Sequence, residues 1–108
     1  PATFRQMTDL TNTMVRDSLD AFVKVDITLA KRVCRLDDEV DRYNREIIDE
    51  VSAFMKHSPA HVDPGLHLFS AARQLERIAD HATNIAEDVV YLVEGRIIRH
   101  HPEALEQE

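Results

Sequence analysis

The sequence predicts an all-α fold, an antiparallel three-helix bundle forming one domain over residues 1–108. Two observations carry this reading. Apolar residues recur in alternating steps of three and four over long stretches, the period of a helix that buries one stripe. Turn-forming residues are scarce, with two glycines and four prolines in 108 residues, so the chain breaks in few places.

The first helix is expected over about residues 4–25, with Phe4, Met7, Leu10, Met14, Ala21 and Phe22 on its inner side. Asp26 follows as an N-cap, because its side-chain oxygen can accept a free amide hydrogen from the next turn. The second helix then runs over about 27–56. The stretch "HSPAHVDPG" is the one clear loop. Within it, Asp63 and Pro64 supply an N-cap and a first helical position for a third helix over 64–94. Gly95 is placed to stop that helix, and "RIIRHHPEALEQE", residues 96–108, is expected to form a tail. Helices of about 30 residues are about 45 Å long. So thin a bundle is expected to be covered by a second copy, as a homodimer or as another repeat.

Composition excludes several functions. The formal net charge is −7, without the basic footprint that phosphate-backbone binding needs, so no nucleic acid is expected. Walker-type and GxGxxG motifs are absent, which argues against nucleotide hydrolysis. The single cysteine, Cys34, cannot form an internal disulfide and suits a reducing compartment. Arg5, Asp9 and Arg16 interrupt the first apolar stretch, which is neither a signal peptide nor a membrane span. A cytoplasmic protein is expected. Pro1 in place of methionine suggests a fragment or a processed end. No Ser/His/Asp or Cys/His grouping marks a nucleophilic site, and no enzyme is expected.

The chemistry lies in two stripes of polar residues. On the third helix, Leu68, Ala72, Leu75, Ala79, Ala82, Ala86, Val89 and Val93 form the apolar seam. Glu76, Asp80, Thr83 and Glu87 follow nearly the same period, roughly 90° round from it. On the second helix the seam reads Ala30, Val33, Asp37, Val40, Asn44, Ile47, Val51 and Phe54. Asp37 and Asn44 occupy positions where an apolar residue is due, with Asp41 one turn beyond Asp37.

Folding the third helix back about a point between Ala60 and His61 brings Asp41 level with Asp80 and Asp37 level with Asn84. Asp37, Asp41, Glu76 and Asp80 then converge. Burying bare carboxylates costs several kcal/mol unless they are paired, protonated or bound to a cation. Oxygen ligands suit magnesium, calcium, manganese or iron. Neutralisation by Arg73 or Arg77 is the competing reading. His81 points away from the stripe, which disfavours the Glu-x-x-His arrangement of oxygen-activating di-iron sites. The other histidines are expected to be exposed in the loop and tail.

The stretch "LERIADHATNIAEDVVYLVEG" resembles the PhoU family of bacterial phosphate-uptake regulators. Glu76-Arg77-Ile78-Ala79-Asp80 and Asn84-Ile85 match its E-R-I-G-D…N-I motif, with Ala79 in place of glycine. "DDEVDRYNREI" resembles the motif on its preceding helix, with Asp37 and Asp41 at the acidic positions. "YLVEGRIIRHH" looks like the segment that closes the family's second repeat.

The resemblance implies one three-helix repeat of a two-repeat architecture. It implies metal ions (iron, zinc, manganese or magnesium) held by Asp37, Asp41, Glu76 and Asp80, with Asn84 and Glu87 next in line. It further implies a regulatory adaptor that restrains phosphate transport and phosphate-starvation signalling. Its partners would be the phosphate ABC transporter and a PhoR-type sensor kinase, at the inner membrane face. A structural helical interaction module without metal is the alternative, and a carboxylate-bridged metalloenzyme a further one.

Overall fold

The structure, a computed structural model, describes residues 2–100, with side chains described for 2–95. Helix α1 spans Ala2–Lys24, α2 spans Ile27–His57 and α3 spans Val62–His100. A 3₁₀ turn, Pro59–His61, joins α2 to α3. Each helix packs against the other two, giving the antiparallel bundle that the periodicity predicts. Residues 101–108 of the expected tail lie outside the described residues.

The core is built from residues at the predicted spacing. Val33, Val40, Ile47 and Val51 of α2 meet Ala72, Ala79, Ala82 and Ala86 of α3, all buried. Branched side chains on one helix against alanines on the other let the two axes approach closely. Met7, Met14 and Ala21 of α1 close the third side. Between them, Thr3, Thr11 and Ser18 are also buried. The Ser18 hydroxyl donates to the Val15 carbonyl at 2.8 Å, so a polar group can sit in the core without a tertiary partner. Thr3 instead donates to Glu50 Oε1 at 2.8 Å, fastening the start of α1 to α2.

Phe22, expected on the inner side, is 59% exposed. The α1 seam passes from Met14 through Ser18 to Ala21, so the next residue is turned about 100° away toward solvent. Phe54, at the end of the α2 seam, is 37% exposed.

The α1–α2 corner is a Schellman stop. Asp26 N–H donates to the Ala21 carbonyl at 2.9 Å and Val25 N–H to the Phe22 carbonyl at 3.3 Å. Val25 takes the left-handed conformation, φ 52°, where glycine is usual. Asp26 then caps α2 as expected, accepting from Leu29 N–H at 3.1 Å.

The other two helix ends differ from expectation. Asp63 does not cap α3: the 3₁₀ turn runs directly into the helix, which starts at Val62. Asp63 and Pro64 sit inside the first turn, where a proline has no hydrogen bond to lose. Ser58 caps the 3₁₀ turn, accepting from Ala60 N–H at 3.2 Å. His61 Nδ1 donates to the Phe54 carbonyl at 2.8 Å, satisfying one free carbonyl at the end of α2.

Gly95 does not stop α3, which continues to His100. A glycine stop needs the left-handed conformation, and no glycine adopts positive φ. Residues 96–100, assigned to the tail, are therefore helical. Gly65 has a different role: a Cβ there would overlap the Met55 side chain, which would have to shift for the first turn of α3 to stay this close to α2.

Candidate metal centre

The α2–α3 pairing positions the carboxylates. Lys31 and Glu94 form an ion pair at 3.6 Å, about one helical turn from the register expected from the fold-back. That register carries Asp37 and Asp41 past Glu76, Asp80 and Glu87. Asp37, Asp41 and Glu76 are half-buried, while Asp80, Asn84 and Glu87 are exposed. Asp37 and Asn44 occupy seam positions yet keep partial solvent contact.

The acids act on one another. The Asp37 carboxyl is raised above its ordinary range, first by partial burial and then by the negative charges of Asp41, Asp80, Asp38 and Glu87. Glu76 is raised by burial and by Asp41, Asp80 and Asp37. Both cause sets span the two helices, and neither contains a compensating cation. Among the described residues, no ion pair involves any of these acids. Arg73 and Arg77 are exposed and leave Glu76 unneutralised.

The ligand set is not drawn together. Among the described residues, no group of three or more His, Cys, Asp or Glu side chains is close enough to hold a metal ion. The acids form one electrostatic neighbourhood whose side chains are splayed. No hydrogen bond among the described residues ties Asn84 to it.

Two neighbours were not anticipated. Asp38 adds to the charge on Asp37. Cys34, read from the sequence as packing, borders the same field: burial, Glu87 and Asp37 push its thiol up. Its place three residues before Asp37 on one stripe is the signal that could have shown this.

The chain matches the PhoU domain over residues 4–89. The chain belongs to the PhoU family. It is 42% identical over 96 residues to a phosphate-specific transport system accessory protein PhoU homolog of Pseudomonas putida, covering 89% of this chain and 38% of that protein. The homolog of Pseudomonas aeruginosa is 44% identical over 87 residues, covering 81% and 36%.

The crystal structure of PhoU from Pseudomonas aeruginosa superposes with a TM-score of 0.82 at 41% identity, over 84% of this chain and 44% of that one. This PhoU-family chain thus spans less than half the length of these relatives and covers a single PhoU repeat. Ala79, at the glycine position of the motif, is fully buried in the α3 seam.

Proposed function

We propose that this PhoU domain is a regulatory, non-enzymatic component of phosphate transport that binds metal ions on the facing α2 and α3 carboxylates. The metal reading rests on the fold-back that sets Asp37 and Asp41 of α2 against Glu76 and Asp80 of α3, and the upward displacement of Asp37 and Glu76 agrees with it. Two carboxyls on different helices are held in one negative field with no cation set against them. An all-oxygen donor set of this kind fits magnesium, manganese or iron better than thiophilic ions; zinc is also compatible with carboxylates.

Asp37, Asp41, Glu76 and Asp80 are the proposed ligands, with Glu87 and Asn84 at the edge. A bound divalent cation supplies positive charge that relieves carboxylate repulsion. The exposed side chains of Asp80 and Glu87 have freedom to turn inward, whereas the half-buried Asp37, Asp41 and Glu76 set the level of the site. Ligation across α2 and α3 would lock their register, so the occupied domain would be stiffer than the empty one.

The relatives are named as accessory proteins of the phosphate-specific transport system. By that kinship the domain acts on the phosphate ABC transporter and a PhoR-type sensor kinase, restraining uptake and phosphate-starvation signalling. It would do so from the cytoplasm, peripherally at the inner membrane face and as a homodimer or paired with a second repeat. Among the described residues no helix is long and apolar enough to cross a membrane.

The splayed ligand set favours one second reading, a helical interaction module without metal. Elemental analysis of protein purified without chelator or histidine tag, beside Asp41→Ala and Asp80→Ala, separates the two. Near-stoichiometric metal in the parent and loss in both variants supports the metal site. Metal-free protein in all three supports the module.

A further inference from the structure

Two hollows lie along the α2–α3 seam, with the carboxylate stripes between them, and together they are treated as one groove. Its α2 wall is the stripe Cys34, Asp37, Asp41, Asn44 and Ile48, and its α3 wall runs from Leu66 and Phe69 through Glu76, Asp80 and Glu87 to Val90. The α2 stripe advances in steps of three and four, and the α3 stripe does so once Arg73 and Asn84 are counted, so each stays on one face of its helix. At one end the groove deepens to about 370 Å³ over Ile48, Leu66, Phe69 and Ala72. At the other a hollow of about 470 Å³ is floored by Cys34, Val90 and Tyr91. The carboxylates lie between the two.

The ends expose apolar side chains: Ile48 is 42%, Leu66 53% and Tyr91 81% accessible. Lys31, beside the second hollow, is paired with Glu94; Arg35 there and Arg73 at the first hollow are the other cations of the lining, outnumbered along the two stripes by Asp37, Asp41, Glu76, Asp80 and Glu87. Along α3, Phe69 to Val90 covers about 32 Å at 1.5 Å per residue.

We propose that this groove docks a basic amphipathic helix of a partner protein, about 20 residues long, with apolar anchors at both ends and Lys or Arg between them. The apolar anchors enter the two hollows, and the basic side chains meet Asp37, Asp41, Glu76 and Asp80. Charge selects this occupant. A second copy of the chain would set carboxylates against carboxylates, and an anionic lipid surface would be repelled in the same way. The proposal does not rest on the metal reading. A cation and a basic helix would compete for the same oxygens, so each weakens the other by the same factor.

The test is fluorescence anisotropy of the chelator-treated chain with a labelled helical peptide of about 20 residues, Leu and Phe at its ends and four to five Lys or Arg between. Its control carries Glu at the basic positions. The basic peptide is expected to bind at least about thirtyfold more tightly than the control, with the difference shrinking at high salt. Leu66→Glu and Tyr91→Glu, both at exposed positions, should each weaken it about tenfold with unchanged melting. Equal binding of both peptides, or indifference to both substitutions, overturns the proposal.

So does a dimer in sedimentation that Leu66→Glu dissociates, since the groove then belongs to a second copy. Manganese uptake by calorimetry on the unmodified chain is a separate readout. Peptide failure with manganese uptake intact sinks the docking surface alone, and the reverse sinks only the metal site.

Discussion

Glu76 on α3 stands in the field of Asp41 on α2, and after burial Asp41 is the largest cause of its raised carboxyl. The two residues are far apart in sequence, and the antiparallel fold-back brings them to one level. Neither takes part in an ion pair among the described residues. The metal reading starts from this repulsion.

It has a pH signature. A carboxyl raised in the folded state binds its proton more readily there than in the unfolded chain. The contribution is therefore favourable at low pH and is lost as pH rises from about 4, the unfolded value, through the raised folded values. In chelator, the Asp37→Asn/Glu76→Gln double variant should melt above the parent at pH 7. The gap should close toward pH 4. Parallel melting curves across that range would show that the two carboxyls are not repelled.

Val25 ends α1 in the left-handed conformation, φ 52°, which costs a β-branched residue about 1–2 kcal/mol. Val25→Gly should raise stability by about 1 kcal/mol, part of the gain being offset by the unfolded-state entropy of glycine. Denaturant titration with an unchanged m-value would register it as a higher midpoint.

The two glycines should respond in opposite directions to alanine. Gly95 lies inside α3 with nothing within 4 Å of an added Cβ, so Gly95→Ala should stabilise by up to about 1 kcal/mol through helix propensity. At Gly65 the added methyl meets Met55, and overpacking there should outweigh the same propensity gain, for a net loss of about 1–2 kcal/mol. Thermal melts of the two single variants would show one shift up and one down.

Thr11 Oγ1 is buried with no hydrogen-bond partner among the described residues. Thr11→Val keeps the branched shape and removes the unsatisfied hydroxyl, and should stabilise by about 1 kcal/mol. A loss of stability on chemical denaturation would mean that the hydroxyl has a partner in solution.

The fold was legible because the seam residues of α2 and α3 repeat with few interruptions. Val33, Val40, Ile47, Ala72, Ala79 and Ala86 could be placed by period alone, and all are buried. Helix ends were less legible, since they depend on backbone choices that residue type only biases. Gly95 stays helical while Val25 takes the left-handed stop, the reverse of the usual preference. Asp63-Pro64 looked like a start signal, yet the 3₁₀ turn capped by Ser58 had already begun the coil.

At the candidate site, spacing and a symmetric loop set Asp37 and Asp41 opposite Glu76 and Asp80, but they did not show that the side chains stay too far apart to form a ligand group. The contributions of Asp38 and Cys34 were not read, although both are close to Asp37 along α2; the share of Glu87 in them depends on the α2–α3 packing. Phe22 was misplaced for a related reason: α1 buries Ser18 and Thr11, and hydrophobicity alone does not reveal a seam built from small polar residues.

The central claim is that the α2–α3 carboxylates hold a cation. Thermal melting of the chelator-treated chain with and without manganese, beside Asp37→Asn and Asp80→Asn, tests it most directly. The account predicts a metal-dependent rise in melting temperature for the parent, and its loss in both variants although each still folds. If manganese leaves the parent unmoved, or raises parent and variants alike, the carboxylates are not the site.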